Sequence, residues 1–178
     1  SSIDFDANNE RLVVGDKEGN IVVWSFPDLS RLASIDVFDG LPEHYTITTN
    51  RVRFRPDGEQ LVVVTFKSST GTGGEVTFWN PQSGKFIARL PNCERVHSAE
   101  FTRDGKSLVI ADWKKMRILD ARTRMPDRQW TVPASAYALE FSTDGKQLIS
   151  ALSGNYDRYI HGGFKFEAQH AWSGRSVR

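Results

Sequence analysis

The sequence is poor in the features that mark secreted, membrane-spanning or nucleic-acid-binding proteins. Cys93 is the only cysteine in 178 residues, so no disulfide can form within the chain and stability must come from burying apolar surface. No apolar run approaches the roughly 18 residues that a membrane-spanning helix needs. The 23 Lys and Arg residues nearly cancel the 22 Asp and Glu residues, which leaves a net charge of +1 and little attraction for a polyanion. We therefore expect a cytoplasmic domain with neither a membrane nor a nucleic-acid partner.

Helical periodicity is also missing, because no stretch of a dozen residues carries a sustained apolar stripe at helical spacing. Short β-branched and aromatic runs recur instead, for example at 21–24, 61–66 and 76–79, and Gly, Asp, Asn or Pro bounds each of them. This pattern predicts an all-β fold of short strands.

The strands repeat around a phenylalanine that is followed seven residues later by a leucine. Four segments have this spacing, at 40 to 49 residues from one another: Phe5 to Leu12, Phe54 to Leu61, Phe101 to Leu108, and Phe141 to Leu148. The last three carry Asp-Gly between the two anchors, where the first has Asn8-Asn9. A tight turn needs positive φ at its second position, which Gly takes freely and Asn tolerates. Each copy therefore predicts a β-hairpin, and the spacing is close to that of four-stranded propeller repeats.

A third strand follows each of the first three hairpins and ends in a pair such as Trp79-Asn80, with Pro81-x-x-Gly84 before a fourth strand. This order resembles the WD40 repeat family of β-propellers over about residues 3 to 150. The resemblance implies an all-β propeller segment of about four four-stranded antiparallel blades. The expected blades are 3–37, 50–90, 97–132 and a degenerate fourth at 137–169, which leaves 170–178 as an unmatched tail.

The copies depart from the family pattern in ways that affect stability. None has both the Gly-His pair before the first strand and the Asp in the second hairpin turn, so the buried hydrogen-bond network of many such blades is expected to be absent. Apolar packing between neighbouring blades must then dominate. In the fourth copy, residues 157–161 and 164–169 are the candidates for the third and fourth strands.

Four repeats are few for a closed ring, since propellers have roughly four to eight blades and repeats of this kind usually close with about seven. Three arrangements remain: a fragment of a longer chain, a half that forms a homodimer, or a small closed ring. We favour the fragment, because Ser1 takes the place of a start methionine and the chain begins on a first strand. A homodimer or missing blades would then cover the apolar faces of the end blades.

Catalytic and metal-binding motifs are missing as well. The histidines, His44, His97, His161 and His170, have none of the spacings of zinc sites. Ser68 to Gly74 is rich in glycine but lacks the Gly-Lys-Ser/Thr of a phosphate-binding loop, and no Gly-x-Ser-x-Gly occurs. We therefore expect no enzyme activity, no metal and no cofactor.

The long connections fall on one face of the predicted propeller. In an antiparallel meander, the loop between strands two and three and the loop to the next blade emerge on the same side, which we call the loop-rich face. Residues 38–50 and 67–74 are such loops, whereas the Asp-Gly turns are minimal and lie on the opposite, short-turn face. We expect partners to bind residues on the loop-rich face: His44, Tyr45, Trp113, Lys114, Lys115 and Tyr156. The alternative is that Trp113 and Tyr45 cap blade ends.

The residue before each anchor phenylalanine is charged, namely Asp4, Arg53, Glu100 and Glu140. These positions share one register of the innermost strands. They are expected to form a polar lining of the central channel, and the alternative is an electrostatic site for a basic ligand.

The resemblance implies a non-catalytic platform for a protein or peptide partner. The alternative is the propeller portion of a larger enzyme or ligand sensor whose catalytic groups lie outside this chain. Fold alone does not decide between the two.

Overall fold

A computed structural model describes residues 1–37, 47–67, 74–93, 95–113, 115–132, 136–142, 144–152 and 165–171. These residues form fifteen β-strands and no helix: β1 (Ser2–Phe5), β2 (Arg11–Gly15), β3 (Asn20–Ser25), β4 (Arg31–Asp36), β5 (Ile47–Phe54), β6 (Leu61–Lys67), β7 (Gly74–Trp79), β8 (Phe86–Arg89), β9 (Val96–Phe101), β10 (Ser107–Asp112), β11 (Lys115–Asp120), β12 (Pro126–Thr131), β13 (Ala136–Phe141), β14 (Gln147–Leu152) and β15 (Lys165–Ala171). Across this part of the chain, nothing forms a helix of the length and apolarity that crossing a membrane would require.

The strands form four antiparallel sheets in chain order. Blade 1 is β1-β2-β3-β4, blade 2 is β5-β6-β7-β8 and blade 3 is β9-β10-β11-β12, while the described part of blade 4 is β13-β14-β15. The first strands of successive blades contact one another, β1 with β5, β5 with β9 and β9 with β13. They are therefore the innermost strands, and the predicted all-β propeller segment is confirmed.

The core lies between the blades, as the alternation of side chains along a strand requires. In β6, Leu61 and Val63 pack towards blade 1, whereas Val62 and Val64 pack towards blade 3. All four are fully buried, because blade 2 has a neighbour on each side. This explains why β6 is a continuous apolar run rather than an alternating one.

The anchor residues behave as the repeat predicts in three blades. Phe54, Phe101 and Phe141 are buried, with 6%, 4% and 9% of their surface exposed. Their leucine partners, Leu61, Leu108 and Leu148, are buried as well. Phe5 holds the same register in blade 1 but is 41% exposed, since it lies on the face of that blade that points away from blade 2.

The hairpin turns have the predicted backbone. Asn9, Gly58, Gly105 and Gly145 have φ of 57°, 71°, 66° and 68°, all in the left-handed region. At Gly58, the absence of a side chain has a second reason, because a Cβ would overlap the Arg11 guanidinium.

Arginines of one blade contact the turn glycines of the next. Arg11 Nη2 donates to the Gly58 carbonyl at 2.9 Å. Arg55 Nε donates to the Gly105 carbonyl at 3.3 Å. The stem of Arg103 lies against Gly145, 3.4 Å from where its Cβ would be. These contacts fix the position of each hairpin relative to the preceding blade.

Two details differ from expectation. The Trp79 indole N–H donates to Thr77 Oγ1 at 2.9 Å, so the buried tryptophan does bond a hydroxyl, although one from its own strand. In blade 4, β15 pairs directly with β14 and so holds the third-strand position, whereas residues 164–169 were expected as a fourth strand. It ends at Ala171, two residues into the stretch left unmatched by the repeat. Residues 157–161 lie outside the described part.

Phe101→Ala is expected to lower the free energy of unfolding by about 3 to 5 kcal/mol, because it removes a buried ring and leaves a cavity. Phe5→Ala is the matched control, since Phe5 has the same register but is largely exposed, and it should cost less than about 1.5 kcal/mol. Urea unfolding followed by tryptophan fluorescence measures both. Equal losses would contradict the assignment of the interblade core.

A second expectation concerns the carboxyl of Asp6, which is buried in the first hairpin. Burial alone would raise the pKa of Asp6, but hydrogen bonds from the Arg11 side chain and from the backbone N–H groups of Arg11 and Glu10 outweigh it and hold the pKa below its ordinary value. A lowered folded pKa contributes stability above the unfolded pKa and loses it as the pH falls through the folded value. At neutral pH, the free energy of unfolding of the wild type should exceed that of Asp6→Asn by about 1 to 2 kcal/mol, and this difference should vanish in strong acid. A difference that is constant from pH 7 to pH 2 in chemical denaturation would contradict this role.

Candidate functional site

Two arginines of β5 connect the innermost strands of all four blades. Arg51 and Arg53 are two residues apart, so both side chains lie on the same side of β5. The guanidinium of Arg53 donates from Nη1 to the Ile3 carbonyl of blade 1 at 3.2 Å and from Nε to Glu100 Oε2 of blade 3 at 3.0 Å. Its Nη2 lies 3.4 Å from Glu140 Oε2 of blade 4. One side chain of blade 2 thus reaches each of the other blades.

Arg51 adds a second set of contacts. Its Nη2 donates to Glu100 Oε2 at 3.2 Å, to Glu140 Oε2 at 3.1 Å and to the Leu139 carbonyl at 2.5 Å. Asp4 completes the group, because its Oδ2 accepts the Phe54 N–H at 2.8 Å and its Oδ1 lies 4.0 Å from Arg53 Nη1. We call these residues, Asp4, Arg51, Arg53, Glu100 and Glu140, the axial ion-pair cluster.

The structure therefore brings together all four residues that the register singles out, Asp4, Arg53, Glu100 and Glu140. The sequence reasoning missed Arg51, although its position two residues before Arg53 on the same strand was an available signal. Burial raises the pKa of Glu100 against the opposing charge of Arg53. Burial likewise raises the pKa of Asp4 against its bonds to the Phe54 N–H and Arg53. Two guanidinium groups face three carboxylates, so most of the charge is compensated within the cluster.

A pocket of about 260 Å³ lies beside this cluster, at the short-turn ends of the inner strands. Its apolar wall comes from the anchor phenylalanines Phe5, Phe54, Phe101 and Phe141. The carboxylates of Asp4, Glu100 and Glu140 and the side chains of Arg55 and Arg103 supply its polar part. The volume suits one side chain or a small organic molecule.

The same inner strands carry β-bulges at their opposite ends, on the loop-rich face. In β9 the register passes from Ala111 opposite Ser98 to Asp112 opposite Val96, which leaves His97 as the extra residue. Tyr137 is the extra residue of β13, and Asn50 is the extra residue of β5. Each bulge falls four residues before an anchor phenylalanine. Bulges re-aim side chains and are frequent beside binding sites.

Aromatic and cationic side chains gather where two of these bulges meet. The rings of His97 and Tyr137 have centroids 4.5 Å apart, and Tyr137 is 47% exposed. Trp113 follows the end of β10 and is 49% exposed, with the Arg95 guanidinium carbon 4.6 Å from its ring centroid. Lys115 is exposed, and its backbone lies opposite that of Asp112 in the β10–β11 ladder, across the turn that holds Trp113. We call Arg95, His97, Trp113, Lys115 and Tyr137 the blade 3–4 patch.

The φ of Arg95, 59°, lies in the left-handed region, as do those of the non-glycine residues Asn9, Leu29, Asn92 and Arg124. A residue with a Cβ adopts this conformation at a cost of about 1 to 2 kcal/mol. The conformation occurs where the Arg95 guanidinium lies over the indole of Trp113. Strain of this kind concentrates at binding sites, where the surrounding structure maintains it.

Polar contacts beneath the patch brace the turn that holds Trp113. Arg117 Nη2 donates to Cys93 Sγ at 3.2 Å and lies 3.6 Å from Asp112 Oδ2. Burial raises the pKa of the Cys93 thiol against the opposing charge of Arg117. Burial lowers the pKa of His97, the Asp112 carboxylate opposes this shift, and Arg95 adds to it. His97 is therefore neutral at physiological pH and packs as an aromatic ring.

The structure places only part of the partner-binding set predicted from the sequence. Trp113 and Lys115 are exposed and belong to the blade 3–4 patch. His44, Tyr45, Lys114 and Tyr156 lie outside the described residues. Sequence reasoning missed Arg95, His97 and Tyr137; for the last two, the position four residues before an anchor phenylalanine was the available signal.

A second cavity, of about 320 Å³, lies between blades 1 and 2. Its walls include Val37, Thr65, Trp79 and Phe86, and the rings of the last two make an edge-to-face contact with centroids 5.3 Å apart. Gly84 lies against the Ser34 carbonyl of blade 1, so the turn that follows Trp79 contacts β4. The cavity has both apolar and polar lining but little charge beyond the Glu75–Arg89 pair at 3.4 Å.

Comparison with known proteins identifies the fold. The chain is similar to hydrazine synthase of Kuenenia stuttgartiensis, with a TM-score of 0.70 and 15% sequence identity over 94% of this chain and 45% of that one. It is also similar to the β-propeller domain of Myceliophteria thermophila Cps50 (Swd1), with a TM-score of 0.68 and 13% identity over 96% of this chain and 57% of that one. The chain thus spans about half the length of these structures. No protein-family model and no curated protein sequence matches it.

The axial ion-pair cluster is expected to show strong energetic coupling. Arg53→Met should lower the free energy of unfolding by about 3 to 5 kcal/mol, because it leaves Glu100 buried with one partner fewer. Glu100→Gln in the Arg53→Met background should cost at least about 1 kcal/mol less than it does alone. The control cycle uses Lys106 and Asp104, an exposed pair at 4.0 Å on the short-turn face, whose coupling should stay below about 0.5 kcal/mol. Additive losses at Arg53 and Glu100 would contradict a shared cluster.

Proposed function

We propose that this chain is a divergent WD40-type propeller segment that acts as a protein-interaction platform through its loop-rich face. The observation that carries the proposal is the blade 3–4 patch, in which Arg95 adopts a left-handed backbone and lies over a half-exposed Trp113. The four Phe-to-Leu hairpins support the family assignment, because three bury their anchors between blades in the same register. A protein or peptide is the proposed partner.

The composition of the patch supports binding rather than capping. Trp113 and Tyr137 each expose about half of their surface, at 49% and 47%. Aromatic residues and arginine are the types enriched at the energetic centres of protein interfaces. A ring that merely capped a blade end would be expected to bury most of its surface against that blade.

The axial ion-pair cluster supports the same division of roles. Arg51 and Arg53 have their donors directed at Glu100, Glu140 and backbone carbonyls of other blades. A basic ligand would have to compete with these guanidinium groups for the carboxylates. We therefore assign the cluster to holding the innermost strands together around the channel and assign recognition to the patch.

The pocket beside the axial ion-pair cluster supports a second candidate function, that of the propeller portion of an enzyme or ligand sensor. Glu140 lines this pocket, and its side chain is 64% exposed although it pairs with Arg51 and Arg53. In that role the pocket would hold a small molecule whose conversion or sensing depends on groups outside this chain. Glu140→Gln would then abolish small-molecule binding measured by calorimetry, whereas protein capture by the loop-rich face would be unaffected.

The interaction proposal predicts that binding depends on the patch. With a partner isolated by affinity capture, Trp113→Ala is expected to weaken binding by about thirtyfold or more, because truncating an interface tryptophan typically removes at least about 2 kcal/mol. Tyr137→Ala should weaken it by about tenfold. Surface plasmon resonance measures both dissociation constants.

Lys106→Ala on the short-turn face is the control and should change affinity by less than about twofold. If Lys106→Ala weakens binding while both aromatic variants bind normally, the partner binds the short-turn face and the assignment to the loop-rich face is wrong. If no protein is retained and a protein containing this segment turns over a small substrate, the enzyme-associated candidate replaces the platform.

A further inference from the structure

We infer that the blade 3–4 patch recognises an acidic peptide segment in which carboxylates flank an aromatic or aliphatic side chain. The inference rests on the proposed function and names the chemistry of its partner. Three features carry it: the lack of a carboxylate partner for Arg95 and Lys115 among the described residues, the position of the Arg95 guanidinium over the Trp113 ring, and the exposed ring of Tyr137.

Arg95 has no acidic partner among the residues that the structure describes. In the described residues, no carboxylate lies within 4.0 Å of the Arg95 guanidinium, whereas Arg51, Arg53 and Arg117 all have carboxylate partners within that distance. Asp112, the acidic residue next to Trp113, pairs with Arg117 at 3.6 Å. Within the described part of the chain, no carboxylate therefore competes with a group on another molecule for Arg95.

The guanidinium carbon of Arg95 lies over the indole ring of Trp113, an arrangement compatible with binding a carboxylate. A guanidinium lying over an aromatic ring uses its face for the ring and keeps its in-plane N–H groups free to donate. Such an edge matches the two oxygens of a carboxylate. The Arg117 contacts to Cys93 and Asp112 link the segment before Arg95 to the end of β10, which precedes Trp113.

Lys115 provides a second cation at the same end of blade 3. It is exposed, it lies across the turn from Asp112, and it makes no ion pair with any residue that the structure describes. Two cations with no acidic partner in the described part of the chain, together with a half-exposed Trp113, favour an anionic ligand with an apolar portion. Tyr137, with neutral His97 behind its ring, extends the apolar area and adds a phenol that can donate to a carbonyl or carboxylate.

A peptide fits this surface better than a single-stranded nucleic acid. Binding of single strands uses a continuous cationic groove with open aromatic faces on which bases stack. Here Arg95 covers one face of Trp113, His97 contacts the ring of Tyr137, and the whole chain has a net charge of only +1. The two cations of the patch could neutralise two carboxylates of a short peptide, whereas binding of a single strand depends on many phosphate contacts along a groove.

The test uses a fluorescein-labelled peptide, Gly-Asp-Glu-Phe-Asp-Glu-Leu-Gly, and a matched peptide with Asn and Gln in place of the acids. Fluorescence anisotropy with the full chain should show that the amide peptide binds about tenfold or more weakly, as expected for loss of charge-assisted hydrogen bonds. Raising NaCl from about 50 to about 300 mM should weaken binding of the acidic peptide and leave binding of the amide peptide unchanged. Equal affinity for the two peptides would overturn the inference.

Variants locate the interaction. Arg95→Asn removes the guanidinium while keeping a residue that tolerates the left-handed backbone, and it should weaken binding of the acidic peptide by about tenfold. Lys115→Gln should weaken it by about threefold, and the same change at Lys106 on the short-turn face should leave it within about 1.5-fold. Circular dichroism and thermal melting verify that each variant folds. Unchanged binding in folded Arg95→Asn would also overturn the inference.

Two further outcomes separate this inference from the platform on which it rests. If the acidic peptide does not bind but Trp113→Ala still weakens capture of the protein partner, the acidic chemistry is wrong and the platform stands. If Trp113→Ala changes neither peptide binding nor capture of the protein partner, both the acidic-peptide inference and the interaction platform are wrong. A labelled oligothymidylate that binds more tightly than the peptide, and does so through Arg95, would replace the peptide by a nucleic acid.

Discussion

The ion pairs at the axis are the interaction on which the arrangement of the four blades depends. Arg53 contacts Ile3, Glu100 and Glu140, one residue from each of the other blades, and Arg51 repeats two of these contacts. Interblade apolar cores join only neighbours, so they set the local stacking of one sheet on the next. The two guanidinium groups connect blades that are not neighbours. In a partly buried setting such groups stabilise a single arrangement, since any displacement leaves a buried charge unpaired.

The hairpins of the short-turn face depend on a related constraint. Arg11, Arg55 and Arg103 each contact the turn glycine of the following blade. Gly58 thus meets two demands at once, a left-handed φ and room for the Arg11 guanidinium, whereas at Gly105 and Gly145 the left-handed φ is the demand. This is a physical reason for Asp-Gly in the turns of blades 2 to 4. In blade 1 the corresponding residue is Asn9, whose left-handed backbone Asn tolerates.

The two ends of the inner strands therefore differ in what their polar groups do. At the short-turn end and along the axis, charges are paired across blades. At the loop-rich end, bulges at Asn50, His97 and Tyr137 interrupt the ladders, and at His97 and Tyr137 they accompany the aromatic and cationic groups of the blade 3–4 patch. Arg95, strained and without a carboxylate partner among the described residues, is the clearest member of this second class. The same strands thus carry both the groups that hold the fold and those proposed to bind.

By itself, the sequence determined the elements whose causes are local or periodic. The Phe-to-Leu spacing predicted the hairpins and the interblade anchors, because a strand's two-residue period sends alternate side chains to opposite blades. For the same reason, the sequence predicted that four charged residues share one register of the innermost strands: Asp4, Arg53, Glu100 and Glu140. Only the tertiary structure decided how these charges pair, and only it brought Arg95 over Trp113 and His97 against Tyr137. Those contacts depend on the bulges at His97 and Tyr137 and on the left-handed backbone of Arg95. The bulges shift side chains by one position, and no turn motif in the sequence predicts them. They join residues of different strands and blades, whose distances are set by packing rather than by sequence spacing.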